Sequence, residues 1–254
     1  MSSGSSICNS MQQPAAMARE GVHETVESIF KDRPRGRVLD VPAGHGSIAH
    51  RLERLGFDVS ACDLYPEIFE LKDVEIRKGD LDDRLPYDDG SFDHIVCVEG
   101  LEHIENPANA IREFARVMNS GGTLVVSVPN IMNIEERLKW LFNGYTSHFK
   151  PLSSEALAPI REEYAGIEEA ALHVNPIGYS ELRYLLESNG FAVESTFRDK
   201  KKKNAGLFIP LAWIIRAVSK FSSADKRRQR WTDEMNSDEV LLGGNTLIIK
   251  ARKL

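Results

Sequence analysis

At 254 residues the chain can bury a sizeable core in one large domain, or in a core with a small lid, and it is too short for two equal domains. Its 32 Lys and Arg against 38 Asp and Glu give a formal net charge of −6, which excludes a whole-protein basic field that would draw in nucleic acid or anionic membrane. Hydrophobic residues at 42% and charged residues at 28% are ordinary proportions for a water-soluble fold.

Cys8, Cys62 and Cys97 form an odd set without C-x-x-C spacing, so they are expected to be reduced and inert, and the protein cytoplasmic. No apolar run reaches the length of a membrane span, and the Met-Ser-Ser-Gly-Ser-Ser start lacks the charged and apolar regions of a signal peptide. Residues 1–16 are expected to be a disordered N-terminus and residues 17–254 a single domain.

Met17, Val22, Val26, Ile29 and Phe30 recur at near-helical spacing, which predicts a helix over 17–31, stopped by Pro34 and Gly36 and covering one side of a cleft. Arg37 to Val41 then forms a short apolar strand running into Pro42-Ala43-Gly44-His45-Gly46-Ser47. A helical pattern follows at once through Ile48, Ala49, Leu52 and Leu55. A strand, a glycine turn and a helix N-terminus in this order place backbone groups and the positive helix end at the carboxyl edge of a first strand, where nucleotide-like ligands bind.

A second strand, Phe57 to Asp63, closes on an acid 23 positions after Asp40, near the spacing at which a carboxylate meets ribose hydroxyls. The plain alternative is a helix cap before Pro66. Val74 to Lys78 forms a third strand ending at Gly79-Asp80-Leu81, where Asp80 can accept from an exocyclic amine and Leu81 can flank an adenine ring. Phe92 to Val98 is a fourth strand, apolar as a doubly covered parallel strand should be, and delivers Glu99-Gly100-Leu101-Glu102-His103 to the same edge. Asn106-Pro107 caps a helix with Ile111, Phe114, Ala115, Val117 and Met118 on one face, and Gly121-Gly122 leads into a fifth strand, Thr123 to Val128.

Strands alternating with helices at this pitch imply right-handed crossovers and a parallel sheet. After the long segment 130–177 come a helix over 180–189 and a sixth strand over 191–197, and Val240 to Ala251 is expected to form a seventh. Between the last two strands, an apolar stretch with Trp213 is flanked by Lys200 to Lys203 and by Lys226 to Trp231. It is too short to span a membrane. Such a segment can lie in a membrane interface or receive a lipid-linked acceptor; the plain alternative is a helix packed on the sheet or in a dimer contact.

With these residues in hand, the chain resembles the class I S-adenosylmethionine-dependent methyltransferases, strongly from Val38 to Pro129 and more loosely beyond. Asp40, Gly44 and Gly46 match the family's first motif, while Pro42 stands where its first glycine would be, so any contact there must come from a carbonyl or from Ala43 and Gly44. The resemblance implies an α/β fold, with a doubly wound, seven-stranded, mostly parallel sheet, helices on both faces and a helical lid. Its last strand is expected to run antiparallel at the sheet edge.

The resemblance also implies S-adenosyl-L-methionine as cofactor, held by Asp40, Ala43, Gly44, Gly46, Asp63, Leu64, Asp80, Leu81 and Glu99. Residues 130–177 would form the acceptor lid and residues 198–235 a basic and apolar helical insertion. A nicotinamide dehydrogenase would need a further glycine where Ser47 or Ala49 stands. The post-strand loop lacks the (Asp/Asn)-Pro-Pro-aromatic pattern of base methylation, and Cys97 lacks the preceding proline of cytosine chemistry. The expected acceptor is therefore a small molecule, or a lipid- or glycan-linked one, with no nucleic acid, and methylation is expected at oxygen. Peripheral membrane contact through 200–231 and a homodimer are further expectations.

An oxygen acceptor calls for a base, for which His148 and His173 are the candidates, with His103 a third. Glu99, Glu102 and His103 resemble a segment of ubiquinone-pathway O-methyltransferases implicated in binding a divalent metal. The plain alternative keeps Glu99 beside the cofactor with His103 packed beneath it, and assigns no metal. Methylation of nitrogen or carbon, or a non-catalytic cofactor-binding scaffold, are the alternative readings.

Overall fold

In the computed structural model, residues 14–19, 21–165, 172–202 and 205–254 are described. The chain runs α1 (Val22–Lys31), β1 (Arg37–Asp40), α2 (Ser47–Arg54), β2 (Asp58–Asp63), a 3-10 turn at Pro66–Ile68, β3 (Glu75–Lys78), β4 (Phe92–Val98), α3 (Pro107–Val117) and β5 (Met118–Pro129). It continues through α4 (Ile134–Asn143), α5 (Ser154–Glu163), α6 (Tyr179–Ser188), β6 (Phe191–Arg198), α7 (Ala205–Ser219), α8 (Ala224–Gln229), α9 (Thr232–Met235), α10 (Asp238–Leu241) and β7 (Thr246–Lys253). Cys8 and most of the N-terminal segment expected to be disordered lie outside the described residues, as do residues 166–171 of the segment expected to form a lid.

The seven strands form one sheet in the order β3-β2-β1-β4-β5-β7-β6, with β1 to β5 parallel and β7 antiparallel to both β5 and β6. The alternation of side chains along each strand builds a core on either side. Leu39, Ile95 and Cys97 face the layer that holds Ile111 and Phe114 of α3 and Leu182 and Leu186 of α6. Val38, Val96 and Val98 face Val26 and Phe30 of α1 and Ile48 and Leu52 of α2. Each such fully buried large side chain contributes about 1.5–3 kcal/mol. Cys62 and Cys97 are free thiols in this core, and burial pushes the Cys62 thiol up to about 12, so both are inert.

Three local expectations are corrected. The first helix starts at Val22 rather than Met17, because Gly21 turns the chain with φ 92° and caps the helix, leaving Ala15, Met17 and Ala18 to run across the carboxyl edge of the sheet. Val240 to Leu242 are not strand. Ser237 Oγ accepts the Val240 N–H (3.4 Å) and starts the short α10, and the strand begins only at Thr246. Finally, β7 is not the edge strand: it inserts between β5 and β6, and β6 takes the edge.

Candidate active site

The carboxyl ends of β1 to β4 open into a cavity of about 320 Å³, within the size range of small-molecule sites. Its floor is the turn between β1 and α2. Gly44 and Gly46 adopt φ 51° and 93°, a region that penalises side chains. A Cβ on Gly100 would stand 2.5 Å from Pro42 Cδ, so this glycine keeps two lining residues close; Gly46, where a Cβ would stand 2.8 Å from the Phe69 ring, is not among the residues that line the cavity.

The turn's own N–H groups are largely committed. Ala43 N–H donates to Cys62 O (3.0 Å), Gly44 N–H to Asp63 Oδ2 (2.8 Å) and Gly46 N–H to Ala43 O (2.9 Å). The surface offered to a ligand is therefore one of carbonyls and close backbone approach rather than of free donors. Asp40 is almost wholly buried at the end of β1, where its Oδ2 accepts the Ala49 N–H of α2 (2.9 Å); burial raises its carboxyl well above the usual range. It holds strand and helix together and also lines the cavity.

Asp63 ends β2 with Oδ1 accepting from Tyr65 N–H (2.9 Å) and Oδ2 from Gly44 N–H. A carboxylate has about four lone-pair positions, so two acceptor sites remain for hydroxyls. Leu64, Asp80 and Leu81 line the same wall, and Asp80 Oδ1 also accepts from Asp82 N–H (2.9 Å). Glu99 sits past β4 in a left-handed conformation, φ 48°, held by its N–H to Ser127 Oγ (3.0 Å) and by Thr246 Oγ1, which donates to Glu99 Oε1 (2.7 Å). Burial raises its carboxyl above the usual range.

The far end of the cavity carries a cluster of imidazoles. Val174 and Asn175 N–H both donate to Glu102 O (2.8 and 3.0 Å), and His103 Nδ1 meets Leu172 O (2.9 Å), which fastens the segment carrying His173 against the post-β4 loop. The His103 and His173 rings then lie 4.7 Å apart, edge to face, with His148 stacked 6.3 Å beyond His173. His103 and His173 line the cavity; His148 stands behind them. Burial, then the neighbouring His103 and His148, lowers His173 to about 4, and burial lowers His148, so both are neutral at pH 7.

Glu102 is fully buried and neither carboxyl oxygen has a hydrogen-bond partner among the described residues; burial, reinforced by Glu99, raises it well above the usual carboxylate range. Ligand atoms of Glu102, His103 and His173 all lie within 4.8 Å of one another, and His173 Nδ1 is likewise buried without a partner. One carboxylate and two neutral imidazoles suit a borderline divalent cation such as zinc, iron or manganese. Glu99, which the resemblance to ubiquinone-pathway enzymes would add to that set and the plain reading keeps beside the cofactor, lines the cavity with Oε1 accepting from Thr246 Oγ1.

Sequence reasoning expected the segment from Met17 to cover one side of the cleft, but as a helix; it missed Ala15 and His23, whose Nδ1 meets Ser47 Oγ (3.1 Å) at the start of α2, and both line the cavity. Met17 carried its signal through the apolar helical pattern, and neither Ala15 nor His23 stood out locally.

A family model described as a methyltransferase domain matches residues 15–196. A ubiquinone biosynthesis O-methyltransferase from Xanthomonas campestris pv. campestris (strain B100) is 37% identical over 106 residues, covering 38% of this chain and 44% of that protein. One from Xanthomonas oryzae pv. oryzae (strain PXO99A) is 36% identical over 108 residues, covering 39% and 45%. The matches thus span less than half the length of these relatives. A SAM dependent methyltransferase structure from Archaeoglobus fulgidus aligns at a TM-score of 0.56 with 16% identity, over 91% of this chain and 94% of that one, a likeness of fold.

Proposed function

The chain belongs to the class I S-adenosylmethionine-dependent methyltransferase family, and from that premise we propose that it moves a methyl group from S-adenosylmethionine to an oxygen of a small acceptor, free or carried on a lipid or glycan. The observation that carries the reading is one continuous cavity. It joins a glycine floor and the Asp63 carboxylate to His103 and His173, with Glu102 buried behind these two imidazoles.

The residues fit the cofactor. The two acceptor sites left on Asp63 suit vicinal ribose hydroxyls, Asp80 can accept from an adenine amine, Leu81 flanks the ring, and the turn carbonyls suit an ammonium group. Ala43 and Gly44 bring the backbone close, Gly46 turns it into α2, and Asp40 locks it by holding Ala49 N–H. The bound sulfonium supplies an electrophilic methyl group whose carbon–sulfur bond breaks, leaving a neutral thioether. Positioning of the acceptor oxygen in line with that bond is the chain's main task, together with removal of the hydroxyl proton.

For that proton the geometry favours the imidazole cluster. Neutral His173, on the cavity wall, can accept it through Nδ1, with His148 stacked behind to hold the ring's orientation. Alternatively, a divalent cation held by Glu102, His103 and His173 would occupy that imidazole's lone pair and replace it as the means of deprotonation, supplying Lewis acidity that lowers the acceptor hydroxyl's pKa; the unpartnered Glu102 oxygens support this second route.

Calorimetry with S-adenosylhomocysteine tests the cofactor end: stoichiometric binding by the native protein supports it, and no heat sinks it. At the other end, elemental analysis after dialysis against Mn²⁺ or Zn²⁺ should show one equivalent retained by the native chain and none by Glu102→Gln with His173→Ala.

A further inference from the structure

Helix α7 is apolar on every side, an arrangement that normally means burial. Its inner side supplies Phe208, Leu211, Ala212 and Ile215, which pack with Ile134 and Leu138 of α4 and with Leu241 and Leu242. Its outer side is open. Leu207 is 78% exposed, Trp213 66% and Phe221, just past the helix, 91%. Between them Pro210, Ile214, Ala217 and Val218 are also exposed, so positions spaced by three and four form one uninterrupted apolar stripe without a single charge. On the helix packed beside it, Trp140, Leu141 and Phe142 at the end of α4 are exposed as well. Contiguous apolar surface of this extent marks a docking site.

The charge around the stripe identifies the occupant. Residues 200–231 hold ten Lys and Arg against one acid, Asp225, in a chain whose formal net charge is −6. Arg216 is turned inward onto Asn236 O and Asp238, and Lys202 onto Glu135, whereas Lys220, Lys226 and Arg230 are exposed and form no ion pair among the described residues. A second copy of the chain would bring two such basic segments face to face. An anionic lipid surface would meet the basic groups with opposite charge and the stripe with acyl chain, and the indole of Trp213 has the amphipathic form found at that boundary. Among the described residues no helix is long and apolar enough to cross a membrane, and the 15 residues of α7 reach only about 22 Å.

We propose that α7 lies flat in the interface of an anionic bilayer, its Leu207, Trp213, Ile214, Val218 and Phe221 inserted and its flanking lysines and arginines on the headgroups. The docking helix is tied to the imidazole cluster through α4. Lys202 Nζ bonds Glu135 Oε2 (2.7 Å), Lys139 bridges Glu135 and Glu136, and Glu136 Oε2 accepts Ser147 N–H (2.6 Å), next to His148. A lipid-carried acceptor would thus meet the protein on the side that holds that loop. This last step rests on the methyl-transfer reading; the docking does not.

The test is co-sedimentation of the full chain with vesicles of phosphatidylcholine alone and of phosphatidylcholine mixed with phosphatidylglycerol, alongside calorimetry with S-adenosylhomocysteine. The proposal expects binding to the anionic vesicles only and loss of binding in high salt. Trp213→Glu with Val218→Glu, both at exposed positions, should weaken that binding at least tenfold, and Lys220→Ala or Arg230→Ala about fivefold each. Cofactor binding should be unchanged in all of them, which also shows that the variants are folded. Failure to pellet with either vesicle overturns the proposal, as does pelleting indifferent to lipid charge. So does a monomer–dimer equilibrium abolished by Trp213→Glu, which would give the stripe to a second copy. Loss of nucleoside binding with vesicle binding intact would instead count against the methyltransferase reading alone.

Discussion

Asp63 does two jobs with one carboxylate: it orders the floor by accepting the Gly44 and Tyr65 N–H groups and keeps two acceptor positions for the ligand. Hydrogen bonds to a charged group contribute about 1.5–3 kcal/mol each, so Asp63→Ala should weaken S-adenosylhomocysteine binding roughly thirtyfold or more by calorimetry. Asp63→Asn, whose Nδ2 cannot accept an N–H, strands either the Gly44 or the Tyr65 donor and should lower both affinity and thermal stability, the latter by about 1–3 kcal/mol. His94 offers a pH test away from the site. Its Nδ1 accepts the Thr123 N–H (3.3 Å) and its Nε2 meets Pro34 O (3.0 Å), an arrangement only the neutral ring can make. Burial lowers its pKa from 6.5. The unfolded chain therefore takes up the proton first, so the stability His94 contributes is present above pH 6.5 and is lost as pH falls through its folded value. Urea midpoints should drop from pH 7 to pH 5 by less in His94→Gln than in the native protein.

Among the elements, α4 shows how polar residues position a loop. Asn133 is buried at its N-terminus, where Oδ1 accepts the Glu136 N–H (3.0 Å) and Nδ2 donates to Asn130 O (2.8 Å) and Gly244 O (3.2 Å). Asn133→Ala removes a cap worth about 1 kcal/mol and strands two buried carbonyls at about 1–3 kcal/mol each, so denaturation should show a loss of about 3 kcal/mol. The first five strands were legible because their apolar residues and bounding glycines are local signals; Phe92–Val98 matches its expected span throughout. The start of β7 was not, since Val240 and Leu241 are as apolar as strand residues, and only the Ser237 cap and its packing with α7 and α4 make them helical. The Glu102, His103 and His173 grouping was half legible. The local Glu-x-x-Glu-His pattern pointed to the loop, but the contribution of residue 173 depends on backbone bonds across about seventy positions.

For the molecule as a whole, the strap of residues 14–19 closes one side of the cavity although it belongs to no regular element. Deleting residues 1–18 should weaken S-adenosylhomocysteine binding about tenfold, the value of about 60 Å² of apolar cover, with a small drop in melting temperature because only Ala18 of the strap packs against a core layer. The whole sheet was foreseeable from alternation of strand and helix; the position of β7 within it was not, because edge and interior strands of this composition look alike in sequence. That position has a consequence for synthesis. β7 zips between β5 and β6 and brings Thr246 to Glu99, so the first half of the protein emerges from the ribosome with its glycine floor formed but its fourth-strand carboxylate unanchored. A nascent chain arrested before residue 246 would keep two strand flanks unzipped, and a nonsense codon there should yield an insoluble product rather than a weakened catalyst.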